Sequence, residues 1–351
     1  MRSYSAQDTR AKMYVRAAGG VGAGGVDLHA YASGEPGSLR ADATPEPLRA
    51  MAGVAAPRMS RMASRFAQLA VLGASSCLRR LGGPPSPGTR VYLGTGLGDV
   101  AATDALYYCV MPPRSEAPPP ARFATSGNNM AAFFVSQYAQ LNSRNLTVSH
   151  AELSFECALD LALSDLSTGA TEAALVGGVD ETTLPREFYT RRFPVASDQA
   201  IGEGSAWLLL EPAGAAADPA PDALGAITGV RLLPSPSSPG AASWAAQVMQ
   251  TLDALGPAHS HSGHNGLCPT GVTLTAGCGT GAEEIAALAA QLPACQQYCY
   301  LPYSGRFPTA SALGVASLFA LQWPSARTSL HVNRDASGRT GLVMIEVYGG
   351  S

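Results

Sequence analysis

Residues 145–165, NLTVSHAELSFECALDLALSD, decide the fold. Their pattern predicts a β-strand over 145–149, a tight turn at His150-Ala151-Glu152 and then a helix that is apolar almost all round. A helix with apolar residues on several faces must be buried, and its N-terminus offers unpaired N–H groups and a partial positive charge at the turn. An α/β enzyme usually carries its nucleophile at such a strand-turn-helix corner, and here the corner residue is Glu152.

The composition excludes several classes of protein. The 351 residues suffice for one large domain or two fused halves. Charged residues make up 14% of the chain, against about 25% in a typical domain, which indicates that much of the surface is hidden in a core or against a partner. The formal net charge is −3 and Lys12 is the single lysine, so nucleic acid is not an expected partner. No apolar run reaches the roughly 20 residues of a membrane span, and no export signal is seen, so we expect a cytoplasmic protein with free thiols.

The pattern of elements predicts two α/β halves. The expected boundaries are a leader at 1–12, a first half at 13–211, an Ala/Pro-rich linker at 212–225 and a second half at 226–351. Further strands are predicted at 13–17, 91–98, 172–179, 202–211, 227–232, 272–276, 330–334 and 341–347. Further helices are predicted from residue 58 onward and at 99–111, 129–140, 243–255, 282–292 and 309–321.

Two motifs are formally suggestive but lack the context that their chemistry needs. Gly20, Gly22 and Gly25 fit G-x-G-x-x-G, yet no helix follows and no acidic residue ends a second strand, so a plain glycine turn is favoured over a dinucleotide site. Three histidines lie in one Ser/Gly-rich loop: His259, His261 and His264. A metal site would need a fixed geometry and a fourth ligand, so we interpret this segment as an exposed loop and expect neither a metal nor a cofactor.

An ordered set of segments resembles the β-ketoacyl-acyl carrier protein synthases (ketosynthases). The set comprises the helix segment 64–70, the corner 149–155, VGGVDE at 176–181, GEG at 202–204, GCGTG at 277–281, the turn 303–307 and the hairpin turn 333–341. No single motif is strong, but the ordered set is more specific than any of its parts. The resemblance implies a thiolase-like fold of two similar halves, each with a mixed sheet, stacked in α-β-α-β-α layers. The family usually has a longer segment than 182–201, so a lid over the site is expected to be trimmed.

The resemblance also locates the positions where ketosynthase chemistry takes place. That chemistry needs a thiolate as nucleophile and two imidazoles that stabilise the enolate. The family's cysteine falls on Glu152, its first histidine on Gly277 and its second on Arg306; a slip of one residue at Gly277 is compatible with the spacing, and no histidine lies in that window in any register. Neither a carboxylate nor glycine can do this chemistry, so we expect no self-sufficient condensation. Asp335 stands where the family usually has a phenylalanine gate.

A charge pair is predicted across this degenerate site. Glu152 and Arg306 occupy positions that meet in the ketosynthase fold, and a buried carboxylate without a partner would be costly. The alternative is that Arg306 faces solvent.

The ketosynthase family includes the chain-length factors of type II polyketide synthases, which pair with an active ketosynthase and usually have glutamine at the cysteine position. The resemblance implies that this chain is a non-catalytic, chain-length-determining subunit for a polyketide or aryl-polyene-type product. Its implied partners are an active ketosynthase in a heterodimer and, transiently, acyl carrier protein. Tunnel positions fall on three small residues, which predicts room for a long chain, although ordinary helix packing favours small residues as well: Gly98, Ala101 and Ala105. The dimer contact falls on four residues that otherwise read as core: Met130, Phe133, Phe134 and Tyr138.

Two alternatives to that function stay open at this point. The first is a stand-alone malonyl decarboxylase or hydrolase that uses Glu152, which needs an open pocket and an oxyanion stabiliser. The second is a homodimeric binding or scaffolding module.

Overall fold

The structure of the protein, a computed structural model, describes residues 12–22, 27–29, 63–114, 116–193, 199–213, 222–254, 271–321 and 323–349. The strands in this part of the chain are β1 (Met13–Val21), β2 (Arg90–Gly94), β3 (Asn145–Val148), β4 (Ala174–Asp180), β5 (Gly204–Pro212), β6 (Gly225–Leu233), β7 (Val272–Ala276), β8 (Gln296–Gln297), β9 (Arg327–Arg334) and β10 (Thr340–Val347). The helices are α1 (Arg65–Leu78), α2 (Val100–Val110), α3 (Pro120–Thr125), α4 (Met130–Tyr138), α5 (Ser154–Ser167), α6 (Arg186–Thr190), α7 (Ala241–Ala254), α8 (Ala282–Ala289), α9 (Leu301–Ser304) and α10 (Ala310–Ala320).

The sheet repeats one topology twice. Its strand order is β3-β2-β4-β5-β1-β6-β10-β9-β7-β8. In the first half, β2 pairs in parallel with β3 and β4, and β5 pairs antiparallel with β4 and β1. In the second half, β7 pairs in parallel with β8 and β9, and β10 pairs antiparallel with β9 and β6. The two halves are therefore equivalent, as the resemblance predicted, and the β1–β6 ladder between them is short, with three residue pairs.

Two apolar helices form the middle of the molecule. α5 packs against β2 and β4 of the first half and against β6 of the second, while α10 packs against β1, β4 and β5 as well as β9. Both helices contribute to one large core that also includes side chains from both halves of the sheet. The all-round apolar pattern of α5 is explained by this position, because every face of a central helix meets protein.

Asp180 joins the two halves beside the corner. It lies at the end of β4, is fully buried, and accepts hydrogen bonds from the Thr95 hydroxyl at 2.9 Å and the Leu97 N–H at 2.9 Å. On the other side it accepts from the Thr309 N–H at 3.0 Å and the Thr309 hydroxyl at 2.8 Å, just before α10. One carboxylate thereby fixes the turn after β2 and the start of the central helix of the second half.

The predicted strands and the predicted helices within the described residues are all present. The strand predicted over 91–98 ends at Gly94: the Thr95 N–H still bonds to Val148 of β3, but the Gly96 and Leu97 N–H groups bond to Asp180 instead of a neighbouring strand. The structure adds the two-residue strand β8 and three helices of six residues or fewer, α3, α6 and α9, which are too short to show a periodicity. The start of the helix predicted from residue 58, Gly25 and the histidines at 259, 261 and 264 lie outside the described residues. No described helix has the length and apolar character needed to cross a bilayer.

Candidate active site

The corner between β3 and α5 has the shape that the sequence predicted. Ala151 has a φ of +49°, which residues with a side chain rarely adopt. The Ser154 hydroxyl fixes the corner: it accepts from the His150 N–H at 2.8 Å and donates to the Ala151 carbonyl at 2.7 Å. Gly94 of β2 packs directly behind, where a Cβ would lie 2.7 Å from the Ser154 backbone. Strained and closely packed corners of this kind are typical of functional sites.

Glu152 is buried on this corner, with 3% of its surface exposed. It does not cap the helix, because α5 has no side-chain cap at its N-terminus. Burial raises the pKa of Glu152 and the negative charge of Asp335 raises it too, while the N–H groups of Glu152 and Ala336 and the charge of Arg339 act in the opposite direction. The carboxyl group thus faces the turn between β9 and β10.

That turn is held closed by Asp335. One carboxylate oxygen of Asp335 accepts from the Ser337 N–H at 2.9 Å, the Ser337 hydroxyl at 2.7 Å and the Arg339 N–H at 2.9 Å. The other oxygen accepts from Arg339 Nε at 2.6 Å. Burial by itself raises the pKa of Asp335, but the hydrogen bonds and charge from Ser337 and Arg339 outweigh it, so the pKa is lowered. The predicted gate position therefore carries an ionised side chain that is bonded to its own turn.

The predicted ion pair between Glu152 and Arg306 is wrong. Arg306 Nη1 donates instead to the carbonyl of Cys278 at 2.6 Å, and no ion pair within 4.0 Å joins Arg306 to Glu152 in the described part of the chain. The backbone of Arg306 is also fixed, because its N–H donates to Ala200 at 2.9 Å and its carbonyl accepts from Gly202 at 3.0 Å. The guanidinium therefore binds a backbone carbonyl just beyond β7. The turn that contains Asp335, and not Arg306, covers Glu152.

Position 277 has no room for a side chain. A Cβ on Gly277 would lie 2.2 Å from Asn333 Oδ1. The neighbouring Cys278 is 6% exposed and its thiol donates to the Phe307 carbonyl at 3.2 Å. The charges of both Arg306 and Glu152 act on this thiol: Arg306 lowers its pKa and Glu152 raises it. We therefore propose that Cys278, one residue beyond the predicted position, corresponds to the family's first histidine.

Cys278 is not a nucleophile in this setting. Burial raises the pKa of its thiol to about 12, although the charge of Arg306 opposes the effect. The thiolate is the reactive form of cysteine, so this group is inert near neutral pH. The three positions Glu152, Cys278 and Arg306 hold neither an activated thiol nor an imidazole.

A cysteine at position 152 alone is not expected to create a condensing enzyme. The variant Glu152→Cys supplies a thiol at the corner, but Cys278 and Arg306 cannot replace two neutral imidazoles as donors to the developing enolate. Incubation of this variant with acyl- and malonyl-carrier protein should give no β-ketoacyl product by mass spectrometry. Product above the level of Glu152→Ser would contradict this reading of the site.

Of the three small residues predicted to line the tunnel, Gly98 is buried just before α2, whereas Ala101 and Ala105 lie on that helix. Gly98 has a φ of +73°, and a Cβ there would meet the Asn128 side chain at 2.3 Å, so glycine is required. Ala101 is half-buried and Ala105 is exposed, both on α2, a helix without a single buried residue. Packing within this chain therefore does not account for the small residues at 101 and 105.

The four residues predicted at the dimer contact separate into two groups. Phe133 is 41% exposed and Met130 is half-buried, so both can contact a partner. Phe134 is 4% exposed and packs in the core with α1, which corrects its assignment to a contact surface. Tyr138 is half-buried and its hydroxyl donates to Ser75 Oγ at 2.8 Å, so it braces α4 against α1.

The sequence reasoning missed two buried carboxyl groups near the corner. Glu156, one turn after Glu152 on α5, is completely buried, and Glu181, which follows β4, is 1% exposed. Burial raises the pKa of Glu156 to about 7 and that of Glu181 to about 8, the latter also through the charge of Asp99. Glu152 lies on the corner before α5 and Glu156 in the first turn of the helix, so helical spacing does not relate the two residues and no local pattern marked Glu156. In the residues that the structure describes, no cluster of three or more His, Cys, Asp or Glu side chains is suited to hold a metal ion.

Solved structures share this architecture along almost the whole chain. The ishigamide ketosynthase/chain length factor has a TM-score of 0.74 at 19% identity, covering 96% of this chain and 100% of that one. The complex titled AntDE:AntF, a type II PKS acyl-carrier protein with its ketosynthase bound to the hexaketide, gives 0.69 at 13%, covering 96% and 99%. A ketosynthase from module 1 of the bacillaene synthase of Bacillus amyloliquefaciens FZB42 gives 0.69 at 15%, covering 97% and 76%. At these identities the likeness establishes the fold: the chain is a thiolase-like protein with the ketosynthase architecture.

The sequence comparison refines that class. Residues 42–192 match the family model for the beta-ketoacyl synthase, N-terminal domain, a range that includes the corner and Glu152. The predicted resemblance to the ketosynthases is thereby confirmed. No curated protein matches the chain as a relative.

Proposed function

We propose that this chain is the non-catalytic, chain-length-determining subunit of a heterodimeric β-ketoacyl-acyl carrier protein synthase in type II polyketide or polyene biosynthesis. The observation that carries the proposal is the composition of the site. The resemblance, with the register proposed for Cys278, assigns Glu152, Cys278 and Arg306 to the positions of the family's thiol nucleophile and two imidazoles, and none of the three can perform those tasks. An active partner subunit would supply the condensing cysteine, and acyl carrier protein would deliver the growing chain to it.

An exposed apolar surface supports the need for a partner. Among the described residues, six of the eight large apolar side chains that are strongly exposed lie on or beside α2, α3 and α4: Tyr107, Tyr108, Val110, Met111, Phe123 and Phe133. Aromatic residues and methionine are enriched in protein–protein interfaces, whereas a soluble monomer rarely exposes them together. We call these six residues the α2–α4 surface and place the partner there.

A sheet edge lies in the same half. Among the described strands, β3 is the outermost on this side of the sheet, and each of its four residues is half-buried, whereas β4 is buried along its whole length. An exposed edge strand presents unpaired N–H and C=O groups that another chain can bind. The edge therefore extends the contact area that the α2–α4 surface offers.

The stand-alone decarboxylase or hydrolase is less well supported than the partner subunit. Glu152 is 3% exposed beneath a turn that Asp335 holds closed, so a thioester has no direct access to its carboxylate. Arg306 is the cationic side chain at one of the family's histidine positions, where an oxyanion stabiliser would be expected, but its guanidinium already donates to the carbonyl of Cys278. Both features support a protein that keeps the shape of the condensing site without its chemistry.

Co-expression with the product of the neighbouring gene tests the proposal. A tagged form of this chain should retain the partner at a one-to-one ratio and be soluble only in its presence. Isolation of this chain as a stable homodimer that ignores the partner would favour the scaffold instead. Release of carbon dioxide from malonyl-carrier protein by this chain alone would favour the decarboxylase.

Bulky residues on α2 should shorten the product. If the acyl chain passes along the small residues of α2, the variants Ala101→Phe and Ala105→Phe will fill that space and shift the products of the co-expressed pair to shorter chains, as measured by mass spectrometry. Thr103→Phe is the matched control, because residue 103 lies about 200° around the helix from residue 101. An unchanged length distribution in both alanine variants, or the same shift in the control, would contradict the tunnel assignment.

A further inference from the structure

Glu156 bridges the two halves of the molecule from inside the core. It lies on α5 and is completely buried. Its partner is Asn333 on β9, whose Nδ2 donates to Glu156 Oε1 at 3.2 Å and to the Glu152 carbonyl at 2.7 Å. β10 closes over the same carboxyl group, since a Cβ on Gly341 would lie 2.8 Å from Glu156 Cγ. The corner of the first half and the hairpin of the second are thus joined through one carboxyl and one amide.

The groups around Glu156 provide no compensating positive charge. From β9, His331 Nδ1 lies 4.0 Å from Glu156 Oε1, and His331 Nε2 lies 3.2 Å from the Tyr300 hydroxyl that precedes α9. The other groups that face it are the Ser311 hydroxyl on α10, the Cys278 thiol after β7 and, on the corner just before α5, Glu152. Arg306 acts on Cys278 and Tyr300 but donates to a backbone carbonyl. Among the residues that the structure describes, none forms a hydrogen bond with Glu156 Oε2 or His331 Nδ1.

Three of these neighbours, His331, Cys278 and Tyr300, are neutral at physiological pH. Burial lowers the pKa of His331 to about 3, so the imidazole carries no charge. Burial raises the pKa of Cys278 to about 12 and that of Tyr300 well above its ordinary value, so both keep their protons. An ionised Glu156 would therefore be a charge in an apolar core without a counter-ion, which is strongly unfavourable.

We infer that Glu156 is a pH-sensitive latch: its protonated form holds α5 against β9, and its ionisation loosens that contact. The inference does not depend on the proposed function, because it concerns the joint between the halves in any ketosynthase-like chain with these residues. The direction follows from linkage. Burial raises the pKa of Glu156 from its ordinary 4.5 to about 7, so its contribution to stability is fully present below pH 4.5 and is lost as the pH rises through about 7.

Hydrogen exchange of the α5 and β9 peptides tests the latch. At each pH the rate in the wild-type chain is divided by the rate in Glu156→Gln, which keeps an acceptor for Asn333 but cannot ionise; the intrinsic pH dependence of exchange then cancels. We expect a ratio that is constant below about pH 4.5, rises by up to about tenfold per pH unit between about pH 4.5 and 7, where the opening releases one proton, and levels off above neutrality. Glu181→Gln, which removes a different buried carboxyl whose pKa is also raised, to about 8, should leave the rise at α5 and β9 intact.

A ratio that stays constant from acid to alkaline pH would overturn the inference, as would a rise that Glu181→Gln abolishes. If Glu156→Gln does not fold, infrared spectroscopy of the Glu181→Gln chain gives the same information. The C=O stretch of one buried protonated carboxyl should disappear near neutral pH in step with faster exchange of α5 and β9. Faster exchange without loss of that band would also overturn the inference.

Discussion

Replacing Tyr108 with glutamate is expected to prevent this chain from binding the proposed partner subunit. Tyr108 is 62% exposed on α2, and its ring packs edge-to-face on Tyr107 with centroids 6.1 Å apart. Central aromatic residues commonly contribute 2 kcal/mol or more to an interface, and the variant also places an unpaired charge in it, so a loss of affinity of about 100-fold or more is expected. Pull-down and analytical ultracentrifugation of the co-expressed pair measure the loss.

Leu232→Glu provides the matched control for that substitution. Leu232 is 43% exposed on β6, which lies five strands away from the β3 edge in the sheet. The same apolar-to-acidic change should leave the complex intact there. Equal losses in both variants would indicate general destabilisation, and no loss in Tyr108→Glu would show that the α2–α4 surface is not the interface.

Replacing Asp180 with alanine is expected to be the most destabilising change near the site. The carboxylate is fully buried and satisfies donors from Thr95, Gly96, Leu97 and Thr309, which alanine would leave unpaired. Each buried donor without a partner costs about 1–3 kcal/mol, and the breaking of a buried network costs about 3–5 kcal/mol in total. Chemical denaturation of the purified complex should report a loss of that size in the free energy of unfolding.

Asp253→Ala serves as the surface control, because Asp253 is exposed near the end of α7. A change within about 0.5 kcal/mol is expected there. If Asp180→Ala were equally mild, Asp180 would not be the joint between the halves, and the turn after β2 and the start of α10 would have to be held by other contacts.

The elements could be predicted because their physical causes are local. The apolar run of α5 and the alternation of the strands follow from burial on one or all faces, and both can be read from consecutive residues. The order of the motifs then indicated the fold, since a shared architecture constrains the spacing of its segments even when few residues are retained. The short helices α3, α6 and α9 were not predicted, because a segment of four to six residues shows no helical period.

The site was harder to predict because its contacts are long-range. Asn333 leaves no space for a side chain at 277, so the residue that reaches the site is Cys278, and no local pattern distinguishes the two. The opposite charges of Glu152 and Arg306 suggested an ion pair, but the Arg306 guanidinium donates a hydrogen bond to the carbonyl of Cys278 instead. Phe134 has the same apolar character as Phe133, and only the position of α1 determines which of them is buried. Tertiary packing decides which of two adjacent residues reaches the site and which acceptor a donor such as Arg306 binds.

The most direct test of the non-catalytic assignment is the intact mass of each chain after the co-expressed pair has reacted with acyl-carrier protein. The account predicts that the acyl mass appears on the partner subunit alone, because Glu152 cannot form a durable thioester and the thiol of Cys278 stays protonated. An acyl group on this chain, released as a longer β-ketoacyl product when malonyl-carrier protein is added, would contradict it.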